Sequence, residues 1–283
     1  MPNFIKISRV RLENLYIRKS LSSYQIAKVF CCSQNTIMER LSRYKIKTRT
    51  IQEGKALTKP KYPRKDFDGT KEEMSYLIGF RLGDLHVRKT HPNSPTVQVH
   101  TNSTKQDQVD LMFRLFEPYG YVKANGPDKR GATKVRCFLN NSFLFLFPKE
   151  EKIASWILSS VPCSLSFLAG YIDAEGSFGL NPRTQPFFSM KSQDKEIMSA
   201  IQSIILPKLT IDTKLHFVRA KGSVMNGIVS NKDVYGIFIY NRRDLNLLLS
   251  AIFPILKHAK RKIDALKVIS HIKKCQDTIA GLK

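Results

Sequence analysis

The chain has 283 residues, 42% of them hydrophobic, and 47 Lys and Arg stand against 23 Asp and Glu for a net charge of +24. That length favours two or three compact units over one, and that charge favours a polyanionic partner, nucleic acid first, because self-repulsion disfavours the compact state. No stretch approaches the roughly 18 apolar residues that span a bilayer, and residues 1–10 lack a signal-peptide core, so the expectation is a soluble, intracellular protein with no membrane partner.

Helical patterns open the chain at 10–19, 23–30 and 33–44. They resemble a helix-turn-helix: counted from Ser23, Ala27, Cys31 and Ile37 take the fifth, ninth and fifteenth positions, where that motif has a small residue, a turn residue and a core aliphatic. Cys31 stands where Gly is usual. The resemblance implies a recognition helix carrying Gln34, Asn35, Arg40 and Arg43; a three-helix packing module with a solvated face is the alternative. Residues 45–65 hold eight Lys or Arg and one acid, with Pro60 and Pro63, and read as an extended linker lying along phosphates or solvated.

Beyond the linker the sequence repeats itself. Residues 76–84 (YLIGFRLGD) and 167–175 (FLAGYIDAE) share a pattern. Each is followed by a strand-like stretch, 96–101 and 187–191, and then by a helical pattern with apolar residues at Val109, Met112, Phe113, Phe116 and at Ile197, Ala200, Ile201, Ile204. A second alternating strand closes each unit, at 133–140 and 234–241. In the first of these Val135, Cys137 and Leu139 share one face and Lys134, Arg136 and Asn140 the other, so one face packs on helices while the other is polar and basic. Residues 213–219 form a less regular strand. The segment 257–274 is basic, with Ile263, Leu266 and Ile269 at helical spacing, and predicts a final helix packed by that face beside the second sheet. Trp156 falls between the repeats as a core or interface anchor. The five cysteines lack CxxC spacing and read as buried free thiols rather than a disulfide framework or zinc site.

The repeated helices carry the most specific signal. Gly79 and Gly83 in one, Gly170 and Ala174 in the other, are spaced i, i+4, which places small residues on one stripe and predicts close helix-on-helix packing. Thr70 and Glu73 form a capping box that starts the first helix; the second is entered through Pro162 and Ser164. Asp84 and Glu175 sit at the C-terminal ends, where an anion opposes the helix macrodipole and where two carboxylates brought together repel. Divalent cations relieve both penalties.

Residues 168–176 read LAGYIDAEG and resemble the LAGLIDADG motif, with Tyr171 and Glu175 as departures; residues 77–85 (LIGFRLGDL) are a looser match that keeps Gly79, Gly83 and Asp84 but departs at Arg81, Leu82 and Leu85. The chain is therefore similar to single-chain, two-motif LAGLIDADG homing endonucleases. The resemblance implies an α+β fold of tandem pseudo-twofold αββαββα repeats with two antiparallel saddle-shaped sheets, beside a small N-terminal all-α domain. The expected boundaries are 1–48 for the helix-turn-helix-like domain, 49–70 for the basic linker, 71–160 for the first repeat and 161–283 for the second with its basic helix.

What it implies for function is Mg²⁺-dependent cleavage of double-stranded DNA by a monomer at a long, asymmetric site. Asp84 and Glu175 would hold the cation with the carbonyls of Gly83 and Ala174; Mn²⁺ substitutes, and Ca²⁺ binds without supporting cleavage. Asn102 and Lys191 are candidates for completing the chemistry, with Lys134, Lys232 and Arg243 as weaker ones and phosphate contact as the commoner role for each. Arg136, Lys214, His216, Arg219 and Arg242 are candidate base readers on strands. Two other readings stay open: an intron RNA maturase, and a non-cleaving DNA-binding regulator.

Overall fold

The computed structural model describes residues 6–57, 62–89, 91, 92, 94–225 and 228–280. Two compact units emerge, Met1–Lys61 with Lys89–Pro95, and Tyr62–Arg88 with Thr96–Lys283.

The smaller unit holds α1 (Arg9–Glu13), which continues into a π turn at Asn14–Arg18, then α2 (Ser23–Val29), α3 (Gln34–Arg43) and α4 (Ile51–Ala56). Its core is Ile7, Leu12, Tyr16, Ile26, Ala27, Ile37, Leu41 and Ile46. Ser22 and Ser33 cap α2 and α3 by accepting from Gln25 N–H and Thr36 N–H. The extended linker expected over 45–65 is interrupted by α4: Thr50 and Glu53 cap it reciprocally, a T-x-x-E start signal that the basic composition obscures. Residues 58–61, Pro60 among them, lie outside the described residues. Arg49 stitches the unit, its N–H donating to Tyr16 Oη and its guanidinium to the carbonyls of Tyr16, Ser20 and Leu21. Cys31 adopts φ 50° between α2 and α3, a left-handed conformation that costs a residue with a Cβ about 1–2 kcal/mol. Cys31→Gly is expected to stabilise this unit by about 1 kcal/mol, read as a rise in the urea midpoint; an unchanged or lower midpoint would contradict the strain.

The larger unit repeats one order of elements. The first copy runs α5 (Lys71–Asp84), β1 (His86–Lys89), β2 (Val97–Ser103), α6 (Gln106–Phe116), β3 (Tyr121–Asn125) and β4 (Thr133–Leu139), closing with a 3₁₀ turn and α7 (Ser155–Ser159). The second runs α8 (Val161–Glu175), β5 (Gly176–Leu180), β6 (Pro186–Ser192), α9 (Lys195–Ala200), β7 (His216–Arg219), the short strands β8 (Val224–Met225) and β9 (Ile228–Val229), then β10 (Val234–Ile239), α10 (Arg242–Ile252) and α11 (Ala259–Ala280). Eight of these strands form two antiparallel four-stranded sheets, ordered β1-β2-β4-β3 and β5-β6-β10-β7, and β8 pairs with β9 in a separate two-stranded ribbon. This is the tandem α+β architecture that the repeats predict. Along β4 the alternation holds: Val135, Cys137 and Leu139 are buried while Lys134, Arg136 and Phe138 are half-exposed on the other face.

Three details depart from the sequence reading. The strand expected over 213–219 is only four residues long, so Lys214 precedes it. A π turn at Ile201–Ile205 rotates the helix after β6 by one position, burying Ile205 and leaving Ile204 exposed. In α11 the core-facing stripe is Ala265, Val268 and Ile272, whereas Ile263 and Leu266 are about half exposed and Ile269 half-buried. α11 packs against β5 and β6, and its buried stripe includes the small Ala265 rather than the larger Ile263 and Leu266. Trp156 is half-buried against the core as expected. Cys137 and Cys163 are buried, but Cys31 is exposed and Cys32 and Cys275 are intermediate. Among the described residues no helix is long and apolar enough to cross a membrane.

Candidate active site

The site begins with the contact between α5 and α8. The Thr70–Glu73 capping box starts α5; Ser160 caps α8, with Pro162 in its first turn. A Cβ placed on Gly79 would fall on the carbonyl oxygen of Phe167, and one on Gly170 on the carbonyl oxygen of Tyr76, so the two helices touch backbone to backbone at the small-residue stripe. One turn further on, Gly83 faces Ala174 and the Glu175 side chain. Tyr76 Oη donates to Asp173 Oδ2 at 2.6 Å, and the same oxygen accepts the N–H groups of Lys257 and His258, tying both motif helices to the start of α11. Arg81, a departure from the motif, is buried and donates to the carbonyls of Leu146 and Leu85; it closes the turn after β4 rather than entering the site.

Close approach brings the helix C-termini together, and with them the acids. Asp84 is pushed up to about 6, first by burial, with the Arg261 charge and a hydrogen bond from Gln108 opposing; Gln108 Nε2 donates to Asp84 Oδ2 at 3.1 Å. Glu175 is pushed up to about 7, again first by burial and next by the charges of Asp84 and Asp194, with Lys149 and Arg261 opposing. Lys149 is held by Asp194 at 3.0 Å. A cleft of about 480 Å³ opens beside Glu175, lined among others by Gly83, Lys149, Lys191, Asp194 and Arg219. A larger one, about 780 Å³, lies at the other end of the helices by Glu72, Val161 and Pro162; it contains neither acid.

Of the candidates, Lys191 and Arg219 therefore share a cleft with Glu175. Asn102 and Lys191 both lie inside the second strand of their sheets, exposed on the side away from the core, Asn102 opposite Lys134 and Lys191 opposite Gly236. Arg136 lies opposite His100. Lys214, His216 and Lys232 are exposed, Lys214 outside any strand and Lys232 just before β10. Arg242 and Arg243 open α10, whose N-cap is Asn241, so Arg242 is not a strand residue. In the smaller unit Asn35 and Arg43 are exposed and Arg40 half-buried, while Gln34 donates to Ser23 Oγ. Sequence reasoning missed Gln108, Lys149, Asp194 and Arg261. Only Gln108 left a signal, a polar residue on the core-facing stripe of α6 beside Met112 and Leu115.

Comparison with known proteins places a LAGLIDADG-like domain at residues 162–252, the span from the start of α8 to the end of α10. The match covers the second repeat, and α5 repeats the small-residue spacing and terminal acid of α8. No curated protein matches the chain by sequence. Among solved structures, I-DmoI in complex with DNA and Mn is 17% identical, covering 64% of this chain and 96% of that one, TM-score 0.46. The homing endonuclease I-WcaI bound to its DNA recognition sequence is 16% identical over 69% and 86%, TM-score 0.49. Full-length DUF199/WhiA from Thermatoga maritima is 15% identical over 77% and 67%, TM-score 0.49.

Proposed function

We propose that the chain is a site-specific endonuclease that hydrolyses both strands of one long, asymmetric DNA duplex site with a divalent cation, Mg²⁺ by preference. The observation that carries this reading is the convergence of Asp84 and Glu175, one from each motif helix, in a partly desolvated position where burial disfavours both charges and Asp84 further disfavours that of Glu175. Folding retains that cost, and binding of a cation by these acids would relieve it. Among the described residues no cluster of three His, Cys, Asp or Glu is present, which suits a hard cation that keeps water and phosphate oxygens as its remaining ligands rather than a closed zinc site.

Asp84 and Glu175 would hold the cation, with the carbonyls of Gly83 and Ala174 beside them. When bound, it supplies polarisation of the phosphoryl oxygen, a more acidic water and stabilisation of the leaving 3′-oxygen. The remaining work falls to fixed side chains. Gln108 orients the Asp84 carboxylate; Lys191, in the cleft with Glu175, places positive charge where negative charge develops on the phosphorane, and Asn102 offers a hydrogen-bonding counterpart in the first repeat. Lys134, Lys232 and Arg243 contact phosphates. In this reading residues 71–160 and 161–283 each serve one half-site, and residues 1–48 touch flanking DNA through Asn35, Arg40 and Arg43.

Incubation with a randomised duplex library in Mg²⁺, followed by sequencing of cut ends, is expected to return one motif of roughly 20 bp. Sequence-selective, salt-sensitive binding without cutting would point to a regulator instead, and selective capture of structured RNA to a maturase. Gln108→Leu is expected to raise the Mg²⁺ concentration for half-maximal cutting roughly ten-fold or more while duplex binding without Mg²⁺ holds; equal Mg²⁺ dependence would remove Gln108 from the site.

A further inference from the structure

The outward faces of the two sheets, compared position by position, are chemically different. Arg88 and Gly179 each stand four residues beyond their acid, Arg88 joined to Gln98 on β2 and Gly179 paired with Phe187 on β6. Gln98 therefore matches Phe187, and two residues on, His100 matches Ser189. Across the next strand His100 faces Arg136, whereas Ser189 faces Phe238. Asn102 then matches Lys191, and Lys134 matches Gly236.

The first face is built for hydrogen bonding. Arg88 Nε donates to Gln98 Oε1 at 2.6 Å while the Arg88 side chain stays exposed, which fixes the guanidinium plane and leads with its two terminal nitrogens. The rings of His86 and His100 stack at 5.3 Å. His100 Nδ1 and Arg136 Nε are buried without a hydrogen-bond partner. Burial, with His86, Arg88, Lys134 and Arg136 around it, pushes His100 down to about 4, so it is a neutral imidazole near pH 7. The second face is aromatic. A Cβ on Gly179 would lie 3.1 Å from the Phe187 ring, so that ring lies over the glycine; Phe238 stacks with Tyr240, which is 62% exposed, and takes the His216 ring at its edge.

Resting on the endonuclease reading, we infer that the two half-sites are recognised by different chemistry: guanine-bearing pairs by Arg88 and Arg136 in the first repeat, and thymine methyl groups by Phe187, Phe238 and Tyr240 in the second. Paired donors of an arginine match guanine O6 and N7, the commonest specific major-groove contact, and an apolar side chain matches the thymine C5-methyl, the one apolar group on a base-pair edge there. The wild-type +24 charge supplies affinity for any duplex; these two faces divide the sequence information. Aromatic faces also stack on unpaired bases, but here a sheet with rings sits beside a polar sheet of matching strand order, each running from one acid of a single pair, which suits the two sides of one continuous duplex.

The test uses the full chain on the motif recovered from a randomised duplex library. One half is expected to be rich in G·C and the other in A·T, and replacing thymine by deoxyuridine, which removes only the methyl, is expected to weaken binding roughly three-fold per contacted base in the A·T half and to leave the other half unaffected. Arg136→Ala is expected to relax preference roughly ten- to hundred-fold in the G·C half alone, and Phe238→Ser to relax only the A·T half. A recovered site with halves of like composition, or deoxyuridine acting equally in both, overturns the division while the endonuclease reading stands. Failure to recover any preferred duplex, or a preference for single-stranded RNA over duplex, overturns both.

Discussion

Gly170→Ala is expected to lower the thermal midpoint by about 10 °C. The added Cβ lands on the carbonyl oxygen of Tyr76 and comes within 3.0 Å of Phe80 N. These are backbone atoms in the middle of α5, so no rotamer change relieves the overlap and the helices must separate. Separation loosens Tyr76, Phe80, Phe167 and Tyr171, all fully buried along the contact, and strains the hydrogen bond from Tyr76 to Asp173. Overpacking typically costs 1–3 kcal/mol and more where nothing can yield; at about 3 kcal/mol, a unit of this size loses roughly 2–4 °C per kcal/mol. Gly54→Ala is the control: its Cβ meets nothing within 4 Å, and Ala is the better helix former by up to about 1 kcal/mol. Circular dichroism melts of both variants check this, and a Gly170→Ala midpoint within 2 °C of wild type would rule out backbone-to-backbone packing.

Most of what positions the acids was legible in the sequence because it rests on local rules. Small residues at i, i+4, an acid directly after each pair, and the T-x-x-E start of α5 carry their meaning in a few consecutive residues. Strands β2, β4, β6 and β10 alternate clearly enough to be read. Strands β1 and β5 do not announce themselves: each is short and follows a helix with no turn signal between, β5 beginning at Gly176 directly after Glu175. They are nonetheless the strands that carry Arg88 and Gly179. The face of α11 differs from the expected one because periodicity reveals a stripe but not what stands against it; here Ala265 is buried and the larger Ile263 and Leu266 stay about half exposed. Gln108, Lys149, Asp194 and Arg261 acquire their roles from elements distant in sequence, and no local pattern reports that. Arg242 shows the converse limit, a basic residue following a strand that belongs to the next helix.

Asp84→Asn and Glu175→Gln are each expected to reduce cleavage on the order of a thousand-fold, the several kcal/mol a lost cation ligand removes from transition-state stabilisation, while raising the thermal midpoint of the metal-free protein. The second effect follows from the direction of the shifts. Both carboxyls are raised in the folded chain, to about 6 and about 7, above their unfolded values, so the folded state binds more protons between those limits and stability falls as pH rises through that window. Well below pH 4 the carboxyls are protonated in both states and no penalty exists; above about pH 7 it is fully present, on the order of 1–2 kcal/mol for the pair after allowance for partial exposure. Removing either charge removes its burial penalty and, with it, the repulsion between Asp84 and Glu175, so the variants should be more stable than wild type at pH 8 and nearly equal to it at pH 4. Cleavage moves the opposite way, because cation binding requires both acids ionised: wild-type activity at limiting Mg²⁺ should rise from pH 6 to pH 8 as the apo-protein becomes less stable. Melts at the two pH values, without and with Mg²⁺, check the linkage, since Mg²⁺ should recover wild-type stability at pH 8 and leave Glu175→Gln nearly unmoved. If Glu175→Gln melts lower than wild type at pH 8 without metal, the two carboxylates do not share a site.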